Sequence, residues 1–427
     1  MIERDKKVKS IFKIIIEENW EEFKKKYPSY EKPQYNETIK KVIDCGSMLG
    51  GYIEYRCSKC GLGERKVAFS CKSMFCLSCS KVYADELVSQ VSKMLHDGMR
   101  YRHVVLTIPE QLRGIFYKNR FEGKLLEALI RIGYKCLEET LSEQLRKKVK
   151  IGTIIVLQTY GRSGQYNRHL HVIMSSGGIN IEEQKWIELN YVSFELLHKK
   201  WQYFLLKMIR ENAKENGVEE LINELYKNYP KGFVANVSKG EAPKKAKGLA
   251  KYLAKYVASP PISVRRIVEY TGEKVTYWYN DHETKAVKVE TVDVMTFMGR
   301  MVQHILPKGF KRVRYYGLQA TKTFKKWRET IENGIQILKN VVKDVYEVVK
   351  EKTYRERYKE GSGKDPLKCP HCAGEMIVWR IWHPKYGVIF SEEERIKSGK
   401  YKQYIKEEDD GRGAVRGSPK NIQLSLF

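Results

Sequence analysis

Residues 152–175 read GTIIVLQTYGRSGQYNRHLHVIMS, and two strands can be read from them. Gly152 to Thr159 and Arg168 to Ser175 are rich in apolar and β-branched residues, and Gly161 to Asn167 between them carries turn residues, so the stretch predicts an antiparallel hairpin. In its second strand, His169-Leu170-His171 places two imidazoles two residues apart and hence on one face. Two such imidazoles can hold a divalent ion if a third ligand joins them. The neighbouring strand offers Gln158 or, near the turn, Gln165, and the hairpin geometry favours Gln158. The plain alternative is a pair of half-exposed histidines on a polar sheet face.

Working outward, Arg102 to Pro109 (RHVVLTIP) is a short β-branched strand bounded by its proline, followed by an amphipathic helical stretch over 121–149. Downstream, 181–228 is helical in pattern, 232–237 reads as a strand, and 243–258 is a helix stopped by Pro260 and Pro261. The order β, α, β, β, α, β, α suits an antiparallel sheet with helices packed on one face, an α+β architecture. Residues 264–292 read as further strands. Before this core, 10–26 has the spacing of an amphipathic helix, and 81–97 is helical again after a Cys-rich segment. After it come a highly charged helix from 318 to about 360, a Cys-Pro-His-Cys knuckle at 369–372 and a Gly-, Lys- and Arg-rich tail. The expected domains are an N-terminal Cys-bearing module over 1–100, a central α+β domain over 101–317 and a helical C-terminal region over 318–427.

The 427 residues carry 79 Lys and Arg against 52 Asp and Glu, a net charge of +27 that suits a polyphosphate partner better than a neutral small molecule. A hydrophobic share of 42% excludes wholesale disorder. No stretch approaches the roughly 18 apolar residues of a membrane span, and Met1 to Trp20 lacks the apolar centre of a signal peptide, so no membrane partner and a cytoplasmic location are expected.

Nine cysteines, an odd number, point to metal ligands or free thiols rather than a disulfide framework. Cys57-Ser-Lys-Cys60 and Cys76-Leu-Ser-Cys79 are two C-x2-C pairs 15 residues apart, the spacing of a ribbon around one structural Zn²⁺. Cys71 is a surplus candidate for that site, and Cys45 and Cys136 read as ordinary residues. The Cys369/Cys372 knuckle is half a site that needs His383 or an N-terminal ligand to complete it.

Two basic segments stand out. Leu249, Tyr252, Leu253, Tyr256 and Val257 follow a buried helical stripe, with both tyrosines on one edge and Lys247, Lys251 and Lys255 in a row behind them. This arrangement suits either a plain core or a helix that holds a DNA backbone near a phenol. In LPKGFKRVRYYG (306–317), Lys308, Lys311, Arg312 and Arg314 alternate with aromatic residues, as either phosphate contacts with stacking surfaces or a solvated basic face.

Taken together, the two C-x2-C pairs, VVLTIP, LQTYG…NRHLHV, KYLAKYVASPPIS and LPKGFKRVRYYG resemble the two-tyrosine HUH transposases of rolling-circle insertion sequences, the insertion sequence ninety-one type. The resemblance runs in consistent order from roughly residue 20 to 318. It implies an HUH-type sheet with the histidine pair at its centre, catalytic Mg²⁺ or Mn²⁺ held by His169 and His171, and Tyr252 and Tyr256 as nucleophiles. It also implies single-stranded DNA of element ends and target as substrate. Gln158 as third ligand agrees with a similar Gln-Thr segment in the family. No G-x4-GK[ST] loop is present, as suits a reaction that needs no ATP. The rival readings are a rolling-circle replication initiator or relaxase, separated by gene context, and a non-catalytic zinc-dependent DNA-binding protein, separated by an activity assay.

The chain ends in Gln423-Leu424-Ser425-Leu426-Phe427 after a polar segment. The pentapeptide resembles those by which bacterial proteins dock on the replicative sliding clamp, with Gln423 as polar anchor and Leu424, Leu426 and Phe427 as apolar ones. A nucleoid-associated protein drawn to replication forks is the corresponding expectation.

Overall fold

The computed structural model describes residues 10–96, 99–161, 164–237, 261–281, 284, 286–339 and 350–398. Tyr252, Tyr256, Lys251 and Lys255 lie outside the described residues, as do Gln423, Leu424, Leu426 and Phe427. The chain divides into two units, one of Met1–Gly50 with Ala68–Pro366, the other of Gly51–Val67 with Leu367–Phe427. No helix among the described residues is long and apolar enough to cross a membrane.

Helices α1 (Ile11–Lys26) and α2 (Pro33–Asp44) come first, followed by strands β1 (Tyr52–Cys57) and β2 (Glu64–Ala68) and helix α3 (Ser80–Ser92). Next are β3 (Tyr101–Thr107), α4 (Glu110–Lys118), α5 (Lys124–Leu145), β4 (Val149–Tyr160), β5 (Tyr166–Asn180) and β6 (Lys185–Glu188), then α6 (Phe194–Asn212), α7 (Val218–Asn228) and β7 (Ala235–Val237). Strands β8 (Ile267–Tyr270), β9 (Lys274–Asn280) and β10 (Val287–Asp293) precede a helix at Val294–Val302 and β11 (Val313–Gly317). Helices Phe324–Lys339 and Tyr354–Ser362, strands β12 (Met376–His383) and β13 (Gly387–Ser391) and a short helix at Glu392–Lys397 follow.

The first unit is α+β, built on an antiparallel sheet of order β11-β4-β5-β3-β7, with β6 added against β5. Its centre is the hairpin expected from residues 152–175, now β4 and β5. Strand β6 was not expected: it interrupts the helical pattern read over 181–228, because Lys185–Glu188 turns back to pair with Gly177–Asn180.

Alternation along β5 sorts the two faces of the sheet. Leu170, Val172 and Met174 join a core with the apolar stripes of α5 and α6, including Leu129, Leu137, Trp201 and Leu205. Ile173, on the histidine side, joins a second core with Val88 and Val91 of α3 and Trp327 and Ile331. Helices therefore cover part of both faces, not one as expected. Gly133 sets the approach of α5 to the sheet, since a Cβ there would lie 2.6 Å from Leu170 Cδ1, directly between the two imidazole-bearing residues.

Gly317 closes β11 at φ +59°, and a Cβ there would lie 1.8 Å from the Ile151 carbonyl oxygen. That clash is with backbone and cannot be relieved by a rotamer change. Gly317→Ala is therefore expected to cost ~2 kcal/mol or more, seen as a lower urea midpoint; an unchanged midpoint would show that β11 can shift freely against β4.

Also in the first unit, a β10-β9-β8 sheet packs with α1, α2 and Val294–Val302 around Phe12, Ile16, Phe23, Val275 and Met298. Cys45, Cys76 and Cys79 belong to this core. The second unit is a β13-β12-β1-β2 sheet in which antiparallel pairing sets Cys57 opposite Met376. Its buried apolar cluster is small: Cys57, Cys369 and Met376, flanked by Tyr55, Cys60 and Cys372.

Candidate functional site

Eight of the nine cysteines gather into two tetrads. Cys45, Cys71, Cys76 and Cys79 form one in the first unit, and Cys57, Cys60, Cys369 and Cys372 form the other in the second; in each, the sulfurs all lie within 4.8 Å of one another. Close pairs are Cys45 and Cys79 at 3.3 Å, Cys71 and Cys79 at 3.6 Å, Cys57 and Cys372 at 3.5 Å, and Cys60 and Cys369 at 3.6 Å.

The single ribbon expected from Cys57, Cys60, Cys76 and Cys79 is thus corrected. C-x2-C spacing fixes only the local turn that converges two thiols, and tertiary structure chooses the partner turn. For Cys57 and Cys60 that choice follows from the pairing of β1 with β12, which brings in the Cys369/Cys372 knuckle rather than His383. Cys76 and Cys79 precede α3 and meet Cys45, which caps α2, and Cys71. Cys45, read as ordinary, is therefore a candidate ligand, whereas Cys136 is fully buried in the core behind the sheet.

Four thiols with no water position suit a closed, structural tetrahedral zinc site. Within the first tetrad, Cys45 is held well below the usual thiol range, chiefly by its hydrogen bond with Cys71 and then by those with Cys76 and Cys79. The hydrogen bonds to Cys45 in turn hold Cys71 and Cys79 above that range, so the four sulfurs share a thiolate, the form that binds metal, rather than each ionising alone.

The second feature is an imidazole cluster on the central sheet. Register sets Gln158 opposite His169 on β4, and the His169 and His171 ring centroids are 4.9 Å apart. His169 Nδ1 lies 3.0 Å from the Asn167 carbonyl oxygen, which can only accept, so Nδ1 carries the proton and Nε2 keeps its lone pair. Gln158 Oε1 is buried with no hydrogen-bond partner, although such an atom ordinarily has one.

A third imidazole, missed in the sequence, stands on β3: His103 Nε2 is 2.9 Å from His171 Nδ1, with the two rings nearly parallel. If Nδ1 of His171 donates to His103, then Nε2 of His171 is the ring nitrogen that carries the lone pair, so His103 is placed to set its tautomer. The signal was available in RHVVLTIP, where His103 begins an apolar alternation, but only the β3–β5 register shows which face it shares.

Burial lowers the basicity of all three histidines. His103 and His169 fall to about 4, and His171 to about 2, where the neighbouring His169 adds to the effect of desolvation. At neutral pH the rings are uncharged, the state that ligates metal. The donor set of two imidazole nitrogens with an orphaned amide oxygen therefore fits a divalent ion.

The basic segment 306–317 separates into different environments. Lys308 is exposed and pairs with Glu37 at 3.2 Å, and Arg314 pairs with Glu127 at 3.0 Å. Arg312, read as a phosphate contact or as part of a solvated basic face, is buried, 6% exposed, with Nε donating to the Leu157 carbonyl oxygen at 2.5 Å. It lies near His169 and His171 and lowers the basicity of both.

These features coincide with two family models. One described as "Transposase zinc-binding domain" matches residues 15–108, and one described as "Putative transposase" matches residues 152–326. The first spans the whole first tetrad and half of the second; the second begins at the histidine hairpin and runs past β11. Among curated relatives, the transposase for insertion sequence element IS801 of Pseudomonas savastanoi pv. phaseolicola is 25% identical over 360 residues, covering 80% of this chain and 82% of the relative. A protein named "Putative transposase y4qJ" from Sinorhizobium fredii (strain NBRC 101917 / NGR234) is 28% identical over 353 residues, covering 78% and 86%. No solved structure matches at significance. With a transposase zinc-binding domain at its N-terminal end and a transposase domain after it, in the order of the cysteine turns and the histidine hairpin, these matches support a transposase of the insertion sequence ninety-one type.

Proposed function

We propose that this transposase cuts and rejoins single-stranded DNA at the ends of its element, by a rolling-circle route in which Tyr252 or Tyr256 is the nucleophile and His169, His171 and Gln158 hold Mg²⁺ or Mn²⁺. The observation that carries this reading is the set of neutral imidazoles beside the unpartnered Gln158 Oε1 on one face of the central sheet. The tyrosines enter through their spacing in the sequence.

In the cleavage step a tyrosine Oη attacks the scissile phosphorus. A phenol–phosphorus bond forms as the bond to the 3′-oxygen breaks, leaving a 5′-phosphotyrosine and a free 3′-hydroxyl, and the phenolic proton passes through solvent to the departing oxygen. When bound, the ion polarises the phosphate and offsets its developing charge, which matters because a phenol of pKa ~10 is mostly protonated at neutral pH. His169 and His171 present their Nε2 lone pairs, and His103 holds the His171 ring in place. The phosphotyrosine keeps the energy of the broken ester, so attack by a 3′-hydroxyl rejoins strands without ATP. A second tyrosine holds one cut strand while another is cut.

The test is to incubate the full chain with single-stranded element ends and Mn²⁺ and to look for a covalent adduct on denaturing gels. Wild type is expected to form it, Tyr252→Phe and Tyr256→Phe each to reduce it, and the double variant to abolish it. An adduct that persists in the double variant would reject these nucleophiles; none in wild type would favour the non-catalytic DNA-binding reading.

A further inference from the structure

One cavity of about 890 Å³ in the first unit has no role in the reading above. It lies between the loop of the first cysteine tetrad, Lys72 to Phe75, and the segment Ile305 to Tyr315 that leads into β11. Its volume falls in the range of roughly 300–1,000 Å³ typical of small-molecule sites. Arg312 forms part of its wall.

Arg312 is an unusual residue to bury. Among the described residues no carboxylate pairs with it. Its Nε donates to the Leu157 carbonyl oxygen, its Nη1 meets the Met74 thioether at 3.6 Å, the neutral Tyr160 phenol is a further hydrogen-bonding neighbour of the guanidinium, and Nη2 is buried without a partner. Guanidinium is always charged, and a buried charge without a counter-ion is costly, so such a group is ordinarily found facing an anion. Lys72 and Lys311 extend the same sign of charge along the wall, while Tyr83, Tyr315 and Phe75 supply aromatic surface. Cation and ring together match one unstacked nucleotide, whose phosphodiester meets the guanidinium and whose base meets the rings.

We propose that this cavity is a nucleotide subsite for the single-stranded DNA substrate, in which Arg312 receives a backbone phosphate and the aromatic wall receives the adjoining base. The proposal deepens the function proposed above, on which it rests for the identity of the strand. Duplex DNA is excluded because its bases are stacked and paired. Through Met74, the subsite also joins the cysteine-tetrad loop to the sheet that carries the histidines, so the first tetrad would shape a wall of the substrate path.

The experiment uses the full chain loaded with zinc, without added Mg²⁺ or Mn²⁺, and a fluorescein-labelled oligothymidylate followed by anisotropy at fixed salt. Arg312→Met should weaken single-strand binding about tenfold or more, while binding to a duplex of equal length changes less than about twofold. The same variant should melt at or above the wild-type temperature when free, since it removes an uncompensated cation, yet gain less stability on adding oligonucleotide. A purely structural arginine would show the opposite, a lower melting temperature with unchanged affinity, and that result overturns the proposal. Lys72→Gln with Lys311→Gln tests the wall independently if Arg312→Met does not fold; unchanged single-strand affinity in that pair also overturns it. Displacement of the oligonucleotide by inorganic phosphate at matched ionic strength would make this a free-anion site and reject the nucleotide assignment. A wild type that forms the covalent adduct while Arg312→Met binds normally rejects the subsite alone; Arg312-dependent binding without any adduct in wild type rejects the cleavage reading alone.

Discussion

Cys369→Ser with Cys372→Ser is expected to lower the zinc content from two ions per chain to one and to unfold the second unit while leaving the first intact. The expectation follows from the size of the two cores. Around the second tetrad the buried apolar cluster is Cys57, Cys369 and Met376, of which two are themselves candidate ligands. Such a core cannot offset the conformational entropy of ordering β1, β2, β12 and β13. A structural zinc site contributes an apparent ~10–16 kcal/mol at neutral pH, comparable to the whole stability of an ordinary domain. Removing it should expose residues 51–67 and 367–398 to rapid proteolysis. By contrast, Cys76→Ser with Cys79→Ser removes the other ion from a tetrad set in a large core with α1, α2 and Val294–Val302, so this unit should be weakened but stay folded. Cys136→Ala should leave both ions in place. Metal analysis and limited proteolysis check all three variants; a wild type with one ion, lost in the Cys76/Cys79 variant, would mean that the cysteines share one site after all.

How far the sequence could be read depended on whether a feature is local or set by register. The hairpin was legible because β-branched runs on either side of a turn specify it without help from the rest of the chain. His169 and His171 share a face by strand alternation alone, and Gln158 falls opposite His169 once the hairpin closes. Each C-x2-C turn was equally local. What joins one turn to another is not: Cys57 and Cys369 are brought together by an antiparallel pairing between strands more than 300 residues apart, and nothing in the spacing encodes that.

The same limit hid His103 and the burial of Arg312. His103 sits in a strand whose face is defined only by its register against β5, with His103 opposite Ile173. Arg312 lies in a run of cations that reads as solvated, yet it immediately precedes β11 and its side chain turns under the β4 backbone toward Leu157. A basic residue beside a strand looks the same in sequence whether it faces water or the interior. Charge composition identifies a polyanionic partner for the chain as a whole and cannot say which cation is held in reserve beneath its surface.

Replacing the imidazoles one at a time should separate ligation from positioning. His171→Ala removes a lone pair that the proposed divalent ion needs, leaving His169 and Gln158 as an incomplete set. Adduct formation should fall on the order of 10³-fold, and no concentration of Mn²⁺ should restore it. His103→Ala leaves all three proposed ligands in place and removes only the partner that fixes the His171 tautomer, a change that typically costs about 10–100-fold in metal affinity. Its defect should therefore appear as a higher Mn²⁺ concentration for half-maximal adduct, with near-normal yield at saturation. His103→Gln, which keeps an acceptor on the same strand, should recover part of that affinity. The proposed DNA subsite around Arg312 provides the internal control, since neither histidine variant should alter metal-free binding of oligothymidylate. If His103→Ala is instead as inactive as His171→Ala at every metal concentration, His103 is itself a ligand and Gln158 is displaced from the set. If both variants form adduct like wild type, the imidazole cluster is structural, and the chemistry must lie elsewhere on the chain.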